Sequence, residues 1–144
     1  MNEDRVVGST CNELPSVTRL AFSADGQYVV AGGDPNLGQN LEVSELGGNR
    51  MWSTNESQII SCVAYHPNGK WIAYGRYAYT DIVFRQAADG NFPTNLSGHA
   101  GGVNSIAFNP ADPTVIASCG YDNRVKVQKI PVDPGSPQKR DQRR

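Results

Sequence analysis

Val17-Thr-Arg-Leu-Ala-Phe-Ser-Ala-Asp-Gly26 is written three times in this chain. The other versions are Ile60-Ser-Cys-Val-Ala-Tyr-His-Pro-Asn-Gly69 and Val103-Asn-Ser-Ile-Ala-Phe-Asn-Pro-Ala-Asp112. The shared alanines are Ala21, Ala64 and Ala107, so the unit recurs every 43 residues. Within each copy Leu20 and Phe22, Val63 and Tyr65, or Ile106 and Phe108 fall on one face and the alanine on the other, the period of two that marks a strand. A turn follows: Asp25-Gly26, Asn68-Gly69, or the wider Pro110-Ala-Asp-Pro113. The first two are strong hairpin signals. A second apolar run comes next (28–31, 71–74, 115–118), closed by glycine, and then a third (41–43, 82–84, 125–127). Weaker fourth strands are expected at 50–53 and 92–96, the latter with the proline of an edge strand. Strand units with a period of roughly 40 to 45 residues are the signature of β-propeller blades, whose faces are covered by neighbouring blades.

Unit three has no fourth strand of its own, because Pro131, Pro134, Gly135 and Pro137 follow it almost at once. Val6 stands 11 residues before Val17, as Phe92 stands 11 before Val103, so residues 5–10 read as an outermost strand displaced to the N-terminus. The expected fold is all-β: a partial β-propeller of three four-stranded antiparallel blades over residues 1–130. A disordered basic tail is expected over 131–144.

The third unit carries the most specific pattern. Leu96-Ser-Gly98-His99 leads into Val103-Asn-Ser-Ile-Ala-Phe, and the unit continues to Ala117-Ser118-Cys-Gly-Tyr-Asp122-Asn-Arg-Val125-Lys-Val127. This resembles a repeat of the WD-repeat family. The resemblance implies a hydrogen-bond network among His99, Ser118 and Asp122, joined in that family by a tryptophan on the third strand. Here Gln128-Lys129 stands where Trp-Asp is expected. Units one and two depart further: Asn12-Glu13 and Asn55-Glu56 occupy the Gly-His positions, and Ser44-Glu45 and Arg85-Gln86 the Trp-Asp positions. A buried polar network stabilises only when its members are satisfied, so these two blades are expected to rely on apolar packing.

Closed propellers have about four to eight blades. Three make an open arc with two exposed faces and unpaired edges, which invite association. The chain is therefore expected not to stand as a free monomer: its protein partner is a second copy forming a six-bladed homodimer or another chain supplying the missing blades, or the chain is one segment of a longer propeller. The rim loops nominate contacts. Arg76, Tyr77 and Tyr79 between the second and third strands of unit two share a rim with Tyr121 and Arg124, and tyrosine and arginine are enriched among interface hot spots. Packing of Tyr77 or Tyr79 on the adjacent blade is the competing reading.

Charge and composition exclude several classes. The formal net charge is −1 over 144 residues, which argues against a body that binds nucleic acid. The tail, however, holds Lys139, Arg140, Arg143 and Arg144, so a nucleic-acid partner contacted through the tail is the alternative to a pure scaffold. No apolar run is long enough to span a membrane, and the N-terminus has no signal-peptide pattern. Cys11, Cys62 and Cys119 lack metal-type spacing and read as reduced thiols in an intracellular protein of the cytoplasm or nucleus. His66 and His99 both have structural explanations, no base stands ready for a cysteine nucleophile, and Gly32-Gly33 and Gly101-Gly102 read as turns. Neither cofactor nor small-molecule substrate is expected, and the chain reads as non-enzymatic.

Overall fold

The computed structural model describes residues 16–35, 38–133 and 135. Eleven strands form three antiparallel sheets, with no helix among the described residues. Blade 1 contains β1 (Val17–Phe22), β2 (Tyr28–Gly33), β3 (Leu41–Glu45) and β4 (Arg50–Thr54). Blade 2 contains β5 (Ile60–Tyr65), β6 (Trp71–Arg76), β7 (Ile82–Gln86) and β8 (Thr94–Leu96). Blade 3 contains β9 (Val103–Phe108), β10 (Val115–Gly120) and β11 (Val125–Lys129). Within each blade every strand pairs with the next one in sequence. The expected N-terminal strand over 5–10 lies outside the described residues. In the first hairpins of blades 1 and 2 the glycine takes the left-handed conformation, with φ of 72° at Gly26 and 76° at Gly69. A side-chain oxygen caps each turn: Asp25 accepts from the Gln27 amide and Asn68 from the Lys70 amide.

The innermost strand β5 packs against both β1 and β9, so blade 2 is the middle of the arc. Alternation then sends each side chain of blade 2 to one of two cores. Ile72, Tyr74 and Val83 meet Val30, Leu41 and Val43 of blade 1. Trp71, Ala73, Ile82 and Phe84 meet Val103, Ile106 and Ile116 of blade 3. That double covering is why the sequence of β6 is apolar on both faces. Polar latches tie the blades at the edges of these cores. Arg19 Nε donates to the Ser61 carbonyl at 2.8 Å, Ser61 Oγ to the Val103 carbonyl at 2.5 Å, and Trp52 Nε1 to the Ala87 carbonyl at 2.7 Å.

Among the described residues, blades 1 and 3 each pack against a neighbouring blade on one side only. Val125 and Val127 of β11 are 76% and 69% exposed, whereas Ile82 and Phe84 at the same places in β7 are 1% and 0% exposed. At the other end Leu20 and Phe22 are 64% and 58% exposed. The described blades thus present exposed apolar side chains on both outer faces of the arc.

The segment after β11 departs from the expected tail at 131–144. Val132 is buried in the core between blades 2 and 3, beside the partly buried Ile130. Trp71 Nε1 donates to the Asp133 carbonyl at 3.1 Å, and Lys70 Nζ to the Gly135 carbonyl at 2.7 Å. Residues 131–133 are therefore a strap across the blade 2–blade 3 junction. The apolar Val132 between two prolines supplies the reason, since it gains more from the core than from water.

Candidate interaction rim

His99, Ser118 and Asp122 come together in blade 3 as the family pattern implies. The Asp122 carboxylate accepts from the Ala100 amide at 2.9 Å, the Arg124 amide at 3.1 Å and His99 Nδ1 at 3.0 Å. These donors, led by the Ala100 amide, outweigh partial burial and hold its pKa down at about 2. An ionised carboxylate only accepts, so the ring proton sits on Nδ1. His99 Nε2 is then the acceptor for the Ser118 hydroxyl at 2.9 Å. Gln128, at the tryptophan position, donates from Nε2 to the Ser97 carbonyl at 2.8 Å instead.

This network shapes the turn that carries Tyr121 and Arg124. Tyr121 meets Tyr77 of blade 2 edge-to-face, ring centroids 5.5 Å apart. The approach needs a glycine beneath it, because a Cβ on Gly102 would collide with the Tyr77 carbonyl oxygen. Tyr77 and Tyr121 thus pack across the blade boundary, and each still leaves more than half of its surface exposed. Tyr79 is 42% exposed, and the Arg76 guanidinium lies 4.0 Å from its ring centroid. The structure brings Arg76, Tyr77, Tyr79 and Tyr121 into one patch, with Arg124 on the flanking turn. Arg76 differs from the other four in being largely covered, with 14% of its side chain exposed. Lys139, Arg140, Arg143 and Arg144 lie outside the described residues.

Blade 2 corrects the expectation that it relies on apolar packing. Glu56 is almost completely covered and receives two guanidinium groups: Arg85 Nη2 at 2.8 Å on one oxygen and Arg76 Nη1 at 3.4 Å on the other. Arg85 Nε donates to the Tyr74 hydroxyl at 2.8 Å and Nη1 to the Gly90 carbonyl at 2.8 Å. Arg76 Nη2 pairs with Asp81 at 3.1 Å, and Asp81 also accepts from Asn95 at 2.6 Å. Burial pushes the Tyr74 hydroxyl's pKa up. Burial works against the charge of Arg85, but Tyr74 and Glu56 outweigh it and its pKa rises. Glu56, Tyr74, Asp81 and Arg85 were not singled out from sequence as parts of one site. The available signal was an arginine at the end of one apolar run and another just after the next.

His66 and Cys62 are committed to packing. His66 is buried, takes the Asn68 amide on Nδ1 at 3.1 Å, and donates from Nε2 to the Pro113 carbonyl at 2.8 Å, which ties blade 2 to blade 3. Burial raises the pKa of Cys62, the opposite of what a nucleophile needs. Among the described residues no cluster of His, Cys, Asp and Glu could hold a metal ion, and no helix is long and apolar enough to cross a membrane.

Repeated antiparallel sheets, two of four described strands and one of three, packed face to face through their innermost strands define a run of β-propeller blades. The chain belongs to the WD-repeat family: the model described as WD domain, G-beta repeat, matches residues 7–37, 48–78 and 90–127. It is 25% identical to GID complex subunit 7 of Schizosaccharomyces pombe over 123 residues, covering 77% of this chain and 22% of that protein. It is 30% identical to Telomerase Cajal body protein 1 of Mus musculus over 107 residues, covering 69% and 19%. With the Periodic tryptophan protein 2 homolog of Dictyostelium discoideum it shares 35% identity over 78 residues, covering 54% and 8%. The chain therefore spans between 8% and 22% of the length of these three relatives.

Proposed function

We propose that this chain is a non-enzymatic scaffold. It is a part-propeller that holds protein partners on its rim and is completed by a second copy or by another chain within a multiprotein complex. The observation that carries this reading is the pair of exposed apolar faces, Leu20 with Phe22 and Val125 with Val127, whose equivalents in the middle blade are partly buried (Val63, Tyr65) and fully buried (Ile82, Phe84). Exposed apolar patches of this kind mark association surfaces. The rim adds Tyr77, Tyr79 and Tyr121 beside Arg124, side chains that bury area while retaining polar handles. The printed name of the fission-yeast relative makes that protein a complex subunit, and the unpaired thiols Cys62 and Cys119 fit a reducing intracellular compartment.

Light scattering after size exclusion, together with circular dichroism, tests this reading. A folded species near twice 15.6 kDa supports self-completion. An unfolded or aggregating chain points to blades from another protein, and a stable, well-folded monomer overturns the need for completion. Once a partner is in hand, Tyr77→Ala with Tyr121→Ala should weaken it at least tenfold if the rim is the contact surface.

A further inference from the structure

Blade 2 carries an acid at the histidine place of the blade 3 network, and we infer that Glu56 thereby positions the Arg76–Tyr79 part of the rim. Glu56 stands 43 residues before His99. Tyr74 and Ser118 are each the fourth residue of a six-residue second strand, and each pairs with the second residue of the strand that follows. Arg85 and Gln128 are each the fourth residue of a five-residue third strand. Glu56, Tyr74 and Arg85 therefore occupy the places of His99, Ser118 and the expected tryptophan.

The chemistry had to invert with the residue. A histidine can donate to Asp122 from one nitrogen and accept from Ser118 on the other, whereas a carboxylate only accepts. A glutamate at that place needs donors on both sides, and the structure supplies them as Arg85 on one oxygen and Arg76 on the other. In blade 3 an acid on the rim turn, Asp122, reaches inward to the histidine. In blade 2 a base at the rim, Arg76, reaches inward to the acid. Arg76 is also the residue that pairs with Asp81 and lies against the Tyr79 ring. The order of contact runs from Glu56 through Arg76 to Tyr79 and Asp81 of the 77–81 loop. Glu56 itself needs no contact with a partner to set where Tyr79 stands.

The inference rests on the rim being an interaction surface, but its test does not. Amide hydrogen exchange of the full chain, read by mass spectrometry, should show Glu56→Gln accelerating exchange over residues 76–82 at least tenfold while β9 to β11 keep wild-type protection. Glu56→Asp, which keeps the charge, should restore part of the protection. Arg76→Gln leaves Glu56, Arg85 and Tyr74 together but removes the link to Glu56 along with Arg76's own contacts to Asp81 and Tyr79, so wild-type exchange over 77–81 in that variant would overturn the inference even if Glu56→Gln fails to fold. So would an equal acceleration through blades 2 and 3 in Glu56→Gln, which is the mark of global destabilisation. Failure of the rim as a contact surface would appear separately, in unchanged partner binding by the Tyr77 and Tyr121 variants.

Discussion

A carboxylate that accepts two backbone amides and a histidine N–H is favoured in its charged form, and this gives Asp122 a signature in the pH dependence of stability. Its pKa is near 2 in the folded chain against an ordinary value of 3.8. Such a group binds its proton more readily when unfolded, so its contribution is complete above about pH 4 and is lost as pH falls through about 2. The urea midpoint of the wild type should therefore drop between pH 4 and 2. Asp122→Asn should start lower at pH 5 and show a smaller drop. Asp25 and Asp112 are also lowered, each chiefly by a neighbouring hydroxyl, so the difference between variant and wild type is the quantity to read. An Asp122→Asn curve parallel to the wild type would place the pH dependence elsewhere. His99, Ser118 and Asp122 were legible because their spacing matches a known pattern. The pairing of Glu56 with Arg76 and Arg85 was not, because no known pattern joins those residue types at those places and only the folded register brings them together.

At the scale of elements, the first three strands of every unit were legible from period and alternation, and the outer ones less so. The fourth strand expected at 92–96 forms only as Thr94–Leu96. Phe92 adopts a φ of 55°, and Pro93 has no amide to donate, so pairing cannot begin earlier. The strap was hidden for a different reason: a short proline-bounded valine looks like tail until the pocket that receives it is known. Val132→Ala removes two buried methyl groups and should lower unfolding free energy by about 2 kcal/mol. Phe84→Ala, in the same core, should cost about 3–5 kcal/mol. Urea denaturation of both variants checks the ranking. A Val132→Ala effect below about 0.5 kcal/mol would mean that the strap is not held in solution.

Over the whole molecule the same side-chain position has opposite consequences depending on which blade carries it. Phe84 and Val127 are each the third residue of a third strand, facing the next blade along the arc. Phe84 is covered by blade 3, while Val127 has nothing over it among the described residues and remains 69% exposed. A charge at position 84 would be buried unpaired, which folded chains tolerate poorly. A charge at 127 would stand in water in the free chain and be buried only if another blade docks there. Val127→Asp should therefore leave the unfolding free energy of the isolated chain within about 0.5 kcal/mol of wild type, while shifting the mass in solution toward the monomer or abolishing capture by the completing chain. Phe84→Asp should fail to fold. Unfolding measured at protein concentrations well below the association range separates the two effects, because stability gained from association depends on concentration and stability of the single chain does not. If Val127→Asp were as damaging as Phe84→Asp at low concentration, the third blade's outer face would already be covered within one chain, and no second source of blades would be needed on that side.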